Sequence, residues 1–174
     1  YPTSKILVIP ANLPPSAQGK VKNPKASFEH RFKMCEILFS KHPQWNKQIE
    51  LSSVEKKAST PNYTLNTIGI LQKEYPGESM ALLMGFDQLK SFTKWHLAEQ
   101  IASSLSLIVC LRGAEKDFMH EIKMVKKELK SVQIDLLKKK PVDAESYIIR
   151  DKIKHNKKSP YFWLDSDVKK YIDE

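Results

Sequence analysis

The chain has 174 residues and a mass of 20.1 kDa, which is enough for one domain with a hydrophobic core and short for two. Its hydrophobic content of 41% excludes disorder over the whole length, and no apolar run approaches the roughly 20 residues that a membrane-spanning helix requires. The net charge of +9 favours an anionic partner such as a nucleotide, a nucleic acid or a lipid headgroup, and two cysteines are too few for a disulfide scaffold or a four-thiolate zinc site.

Short apolar runs alternate with helical patterns along the chain. Runs rich in β-branched residues predict strands, and apolar residues spaced three or four apart predict helices. The predicted elements in chain order are a strand at 5–10, a proline-rich loop at 11–25, a helix at 28–42, a strand at 48–51, a polar loop at 52–62, a helix at 64–74, a strand at 79–84, a helix at 87–101, a strand at 105–111, a helix at 114–130, a strand at 132–136 and helices at 145–154 and 165–172. Ser27, Thr64 and Asp87 are candidate N-caps.

The fold class follows from this alternation. The clearest strands, at residues 6–9, 80–84 and 107–111, are apolar throughout, which is typical of a parallel sheet covered on both faces. The pattern therefore predicts a single doubly wound α/β domain over residues 1–174. Ligands of such folds bind beyond the carboxyl ends of the strands, so candidate site residues are sought in the segments that follow each strand.

One group of candidates follows the strand at 79–84. Gly85 would let a ligand approach the backbone closely, and Asp87 could hold a ribose hydroxyl, although capping a helix is its commoner role. Trp95 lies eight residues further on, near the same face of the predicted helix. Its indole could stack on an aromatic ring or belong to the core.

Two other strand ends and the few arginines add candidates. Thr64 opens a helix whose first-turn N–H groups suit a carboxylate or a phosphate, although capping would also account for the threonine. Arg112 follows a strand, where it would reach a phosphate or remain a solvated charge. Arginine supplies only three of the 29 basic residues, namely Arg31, Arg112 and Arg150. Either these guanidinium groups bind phosphates or carboxylates, or codon bias explains their number.

Several chemistries are absent from the sequence. There is no GxxxxGK[ST], GxGxxG, GxSxG or HExxH motif, and the five histidines lack ligand spacing. The sequence therefore predicts neither a metal site nor a nucleophile–base pair. A reaction here would depend on positioning the substrates and neutralising phosphates.

Six segments occur in the order and spacing found in bacterial nicotinate-nucleotide adenylyltransferases, which the chain resembles over nearly its whole length. These segments are residues 9–15, 26–34, 62–67, 85–89, 92–101 and 109–112. The resemblance implies a Rossmann-like nucleotidyltransferase sheet that transfers the adenylyl group of ATP to nicotinate mononucleotide, giving the dinucleotide and pyrophosphate. The implied partners are ATP and nicotinate mononucleotide, with Mg²⁺ arriving only as the counter-ion of ATP. A homo-oligomer is left open.

The resemblance also implies roles for individual residues. Thr64, with the helix start behind it, would receive the nicotinate carboxylate, and Tyr63 is implied as another substrate-binding residue. Trp95 would stack on the pyridine ring, with His96 beside it. The nucleotide-binding residues implied are Gly85 and Asp87 on the adenosine side, Arg112, Ser146 and Arg150 near the phosphates, and Lys20 (or Lys22) in place of a family lysine.

The chain departs from the family at its phosphate motifs. No HxGH-type motif is present, and the chain starts where the family's second strand would be, so the sheet would lack its first strand. Either about 30 residues precede Tyr1, or the main phosphate site is missing. Ser16-Ala17 replaces a His-Lys pair, and Glu145 stands where phosphates should approach. The catalytic residues are therefore unknown.

Two other functions remain open from the sequence. The altered phosphate motifs favour a non-catalytic nucleotide-binding or interaction domain that descends from the family. The charge alone favours a nucleic-acid binder, but the alternation of aromatic and basic residues expected of a stacking surface is lacking. The first residues show no signal-peptide pattern, so a cytoplasmic location is the default expectation.

Overall fold

The computed structural model describes residues 4–15, 24–42, 47–58, 61–111, 118–137, 146–155 and 164–174. Within these residues the elements in chain order are β1 (Ile6–Val8), α1 (Phe28–Ser40), β2 (Ile49–Leu51), α2 (Val54–Lys57), α3 (Thr64–Glu74), β3 (Ala81–Gly85), α4 (Phe86–Phe92), α5 (Ala98–Ser104), β4 (Ser106–Cys110), α6 (Phe118–Glu128), β5 (Ile134–Leu137), α7 (Ser146–Lys154) and α8 (Ser166–Asp173). No helix in these ranges is long and apolar enough to cross a membrane.

The chain divides into two compact units. The first unit comprises Tyr1–Pro14, Lys22–Thr60 and Ala144–Glu174, and the second comprises Pro15–Val21 and Pro61–Asp143. The prediction of one domain over the whole chain stays a prediction.

The first unit contains a two-stranded parallel sheet, in which Ile6 of β1 pairs with Ile49 of β2. Helix α1 packs against β2 and against α8. Ser27 caps α1 as predicted, because its hydroxyl accepts a hydrogen bond from the amide of His30 at 3.2 Å. Helix α2 lies inside the segment predicted as a polar loop, since four residues give too little periodicity to recognise.

The second unit contains the parallel sheet β3-β4-β5 and most of the buried apolar side chains that the structure describes. Leu107 and Val109 on one face of β4 are fully buried, and they pack with Phe92 and Leu89 of α4 and Ile101 of α5. The parallel α/β class predicted from the continuously apolar strands is confirmed.

One predicted helix is wrong. The pattern over 87–101 predicts a continuous helix, whereas α4 ends at Phe92, a turn follows, and α5 begins at Ala98. Leu97 adopts the left-handed conformation with φ of 56°, which is rare for a residue other than glycine. Because Trp95 lies in this turn, the prediction that it shares one face of a helix with Asp87 is also wrong.

Candidate functional site

The carboxyl ends of the three strands in the second unit line up at one edge of their sheet. Gly85 of β3 pairs with Cys110 of β4, which in turn pairs with Leu137 of β5. The segment that begins at Phe86 therefore leaves the sheet at this edge, as predicted for ligand-binding segments of parallel sheets. Arg112 lies outside the described residues, so its proximity to this edge stays a prediction.

Gly85 and Asp87 are in close contact. Helix α4 begins at Phe86 with Gly85 as its N-cap, so Asp87 lies in the first turn and the prediction that it caps the helix is wrong. The Asp87 carboxylate lies against Gly85 where a β-carbon would otherwise project, which explains the glycine at this position. Gln88 Nε2 donates to Asp87 Oδ2 at 3.2 Å, and the exposed carboxylate remains open to further donors such as hydroxyl groups.

The N-terminus of α3 has no side-chain cap. Its N-cap is Tyr63 and its first residue is Thr64, so the prediction that Thr64 caps the helix is wrong, because the helix starts one residue earlier than a threonine cap requires. The Tyr63 carbonyl accepts from the amides of Asn66 at 3.0 Å and Thr67 at 3.2 Å. Among the described residues no acceptor meets the amides of Thr64 and Leu65, and the first turn holds no acidic residue. These amides suit an incoming anion.

Tyr63 and His96 meet beside this helix start. Their ring centroids are 4.3 Å apart with an interplanar angle of 36°, and the imidazole is exposed. Helices α3 and α5, which carry or adjoin these residues, pack against each other. The structure thus brings together two of the four residues that the resemblance assigns to the pyridine nucleotide, next to a third, Thr64.

Trp95 connects the turn to the core of the second unit. Its ring packs edge-on against fully buried Phe92, with centroids 5.3 Å apart and an interplanar angle of 62°, while the side chain as a whole is half-buried. The Trp95 amide donates to the Phe92 carbonyl at 2.9 Å, and the Ala98 amide donates to the Trp95 carbonyl at 3.2 Å. An indole that is anchored at one edge and partly exposed has a surface left for stacking.

Leu97 is a feature of the site region that the sequence did not reveal. It directly follows His96, the residue is 44% exposed, and its left-handed backbone closes the turn at the start of α5. Strained backbone of this kind persists where the surrounding structure fixes it, and it recurs at binding sites. Glycine or asparagine would have signalled the conformation, but leucine gives no such signal.

The remaining predicted nucleotide-binding residues belong to other parts of the sequence. Ser146 is the first residue of α7 in the first unit, and Arg150 is exposed on the same helix. Lys20 lies outside the described residues. Nothing in the structure tests whether these three residues meet a nucleotide.

Arg31 binds backbone oxygens rather than an open site. Its Nε donates to the Ala26 carbonyl at 3.2 Å, its Nη2 donates to the Asn12 carbonyl at 3.4 Å, and its Nη1 donates to the Ala11 carbonyl. The guanidinium carbon also lies 5.6 Å from the centre of the Phe28 ring. The hypothesis that this arginine grips a phosphate is therefore replaced by a structural role for its donors.

No group of three or more histidine, cysteine, aspartate or glutamate side chains within the described ranges could hold a metal ion. The candidate site in the second unit offers aromatic surfaces, backbone amides and the Asp87 carboxylate.

The chain is similar in sequence to curated proteins that share one name. No protein-family model matches the chain. A probable nicotinate-nucleotide adenylyltransferase from Carboxydothermus hydrogenoformans is 27% identical over 92% of this chain and 76% of its own length. Another from Christiangramia forsetii is 33% identical over 73% of this chain, which spans only 62% of that relative.

A solved structure shows the same fold. Plasmodium falciparum nicotinic acid mononucleotide adenylyltransferase, complexed with NaAD, matches 97% of this chain and 80% of its own with a TM-score of 0.65 and 15% identity. The Rossmann-like fold that the resemblance implied is thereby confirmed. The curated relatives, whose similarity extends over most of the sequence, bear the name nicotinate-nucleotide adenylyltransferase, and the chain is similar to that family in sequence and in fold.

Proposed function

We propose that the protein transfers the adenylyl group of ATP to nicotinate mononucleotide, forming nicotinate adenine dinucleotide and pyrophosphate in NAD biosynthesis. The observation that carries the proposal is the N-terminus of α3, which has no side-chain cap and lies beside the Tyr63–His96 ring pair, on a chain whose relatives bear this name. A cytoplasmic location is part of the same proposal.

In the proposed complex the acceptor nucleotide lies at the start of α3. The nicotinate carboxylate accepts from the amides of Thr64 and Leu65 and from the Thr64 hydroxyl, and the positive end of the helix stabilises its charge. The pyridine ring of this nucleotide is a cation, so the exposed part of the Trp95 indole would attract it as well as stack on it. Tyr63 and His96 flank the ring.

The donor nucleotide lies at the carboxyl edge of β3. Asp87 accepts hydrogen bonds from the ribose hydroxyls, and Gly85, which has no side chain, leaves the space that the Asp87 carboxylate occupies. A phosphate oxygen of nicotinate mononucleotide attacks the α-phosphorus of ATP, a P–O bond forms there, and the bond to the β-phosphate oxygen breaks to release pyrophosphate. Lys20, Arg112, Ser146 and Arg150 are the proposed partners of the phosphates, and Mg²⁺ enters with ATP to neutralise further charge.

The test is release of pyrophosphate by the purified protein supplied with MgATP and nicotinate mononucleotide. We expect turnover that requires both nucleotides, and nicotinamide mononucleotide should be a poorer acceptor because a carboxamide gains less from a helix N-terminus than a carboxylate. No release of pyrophosphate under these conditions would reject the proposed activity.

A second candidate rests on Ser16-Ala17 and Glu145, which alter the phosphate motifs of the family. In that case the protein binds a nucleotide without turning it over. Calorimetry that detects binding of ATP or nicotinate mononucleotide, in a preparation that releases no pyrophosphate, would favour this function, and robust turnover would exclude it.

A further inference from the structure

The segment that follows β1 is held by one arginine of α1. All three nitrogen positions of the Arg31 side chain donate to main-chain carbonyls, and two of these carbonyls belong to Ala11 and Asn12. The third, that of Ala26, lies just before α1 and fixes the guanidinium relative to its own helix. Arg31 is half-buried, so its donors are partly shielded from water and their bonds gain strength.

A second contact holds the same segment from α2. The Asn12 amide donates to Glu55 Oε2 at 3.0 Å, and Asn12 Nδ2 donates to the Glu55 carbonyl at 3.4 Å. Arg31 of α1 thus donates to the carbonyls of Ala11 and Asn12, and Glu55 of α2 accepts from the amide and the side chain of Asn12. The amide of Asn12 and the carbonyls of Ala11 and Asn12 are therefore fixed by groups outside the turn.

The position of this turn gives the contacts a function. Ala11 and Asn12 come three and four residues after Val8, the last residue of β1, and therefore lie at the carboxyl end of that strand. Ligands of parallel α/β sheets bind beyond these ends. We propose that Arg31 is a positioning residue, which fixes the Ala11–Asn12 turn so that its backbone meets a nucleotide substrate in one orientation. This inference rests on the proposed function.

The first measurement is hydrogen exchange of the backbone amides. In Arg31→Lys the charge remains but a lysine cannot make the three-way fork, so the amides of residues 11–13 should exchange about tenfold faster. Lys33→Met is the matched control, because it removes an exposed charge from the same helix whose partner is Glu36, and it should leave these amides unchanged. Unchanged exchange in Arg31→Lys would overturn the inference.

The second measurement separates positioning from a loss of folded protein. A partly unfolded preparation lowers kcat per total protein without changing KM, whereas loss of an oriented binding surface raises KM. We expect Arg31→Lys to raise the KM for at least one of the two nucleotides about tenfold, with kcat unchanged within about threefold. Equal KM values in Arg31→Lys and Lys33→Met would contradict the inference even if the wild type is active. If the wild type is inactive but the amides of residues 11–13 exchange faster in Arg31→Lys, the proposed function is rejected. The conclusion that Arg31 fixes the turn would still be supported.

Discussion

The second unit contains a continuous buried apolar cluster, whereas the described part of the first unit has few buried apolar residues and several polar contacts between its short elements. Phe92, Leu107 and Ile101 in the second unit are completely buried, and all three belong to one cluster of apolar side chains from its helices and its sheet. Among the described residues of the first unit, the buried apolar ones are Phe28, Val54 and Val168. Apolar burial provides most of the folding free energy, so the two units should respond differently to mutation and to solvent.

The polar contacts of the first unit connect α1 to α8 and α2. Lys41 pairs with Asp165 at 3.1 Å and with Asp167 at 2.6 Å, which ties the end of α1 to the start of α8. His30 Nδ1 and the Tyr171 hydroxyl are hydrogen-bonded at 2.8 Å near the other end of these helices. Exposed ion pairs contribute only about 0–1 kcal/mol each, so this arrangement defines the geometry more than it adds stability.

The largest expected effect tests this difference in packing. Leu107→Ala should lower the free energy of unfolding by about 2–5 kcal/mol, because the leucine is fully buried in a dense cluster and its loss leaves a cavity. Val168→Ala in the first unit removes less apolar surface and should cost about 1–2 kcal/mol. Urea unfolding followed by circular dichroism measures both. Equal losses would show that the two units are packed alike.

The next effect concerns binding rather than stability. Trp95→Ala should reduce the affinity for nicotinate mononucleotide by about 1–3 kcal/mol, the range for stacking on aromatic side chains, and calorimetry measures it. Trp95→Phe is the control, because it keeps a ring against Phe92 and should retain most of the affinity. If the indole only fills the core, Trp95→Ala would lower the melting temperature and leave the affinity of the folded protein intact.

The sequence predicts the parts of this molecule that obey local rules. Ser27 is recognisable as a cap, and the helix over 64–74 has the boundaries that its apolar spacing and the following Pro76 predict. The break before Ala98 cannot be predicted from the sequence, because apolar residues keep a helical spacing through the turn. The partners of Arg31 cannot be predicted from the sequence either, because they are backbone carbonyl groups, which every residue has.

A smaller effect tests the contact at the sheet edge of the second unit. Gly85→Ala would place a β-carbon where the Asp87 carboxylate lies, and this flexible, exposed side chain would move away. We expect the KM for ATP to rise about fivefold, equivalent to about 1 kcal/mol for one weakened hydrogen bond, with little change in stability. Gly69→Ala is the matched control, since an added β-carbon meets nothing within 4 Å in the middle of α3. That variant should be slightly stabilised, by about 0.5–1 kcal/mol, with kinetics unchanged.

The smallest effect arises from the charges of the first unit. A hydrogen bond from Lys56, together with the backbone amide of Glu29, lowers the pKa of the Glu29 carboxyl from 4.5 to about 2. Burial acts to raise the pKa of Asp165, but hydrogen bonds from the Asp167 amide, Lys41 and the Val168 amide outweigh it and leave that pKa lowered. A carboxyl whose pKa is lower in the folded state binds fewer protons there than in the unfolded state. Its stabilising contribution is therefore present above the unfolded pKa and is lost as the pH falls through the folded one.

The first unit should consequently lose stability between about pH 4.5 and pH 2, while the apolar cluster of the second unit contains no charge that could titrate. Hydrogen exchange measured at pH 5 and at pH 3, corrected for the intrinsic rates, should show protection in α1 and α8 falling relative to protection in α5 and β4. In Glu29→Gln the fall should be smaller, because the contribution lost on protonation is already absent at pH 5. A uniform loss of protection over both units would mean that they unfold as one. The two units would then differ in how their residues are packed but not in their stability towards acid.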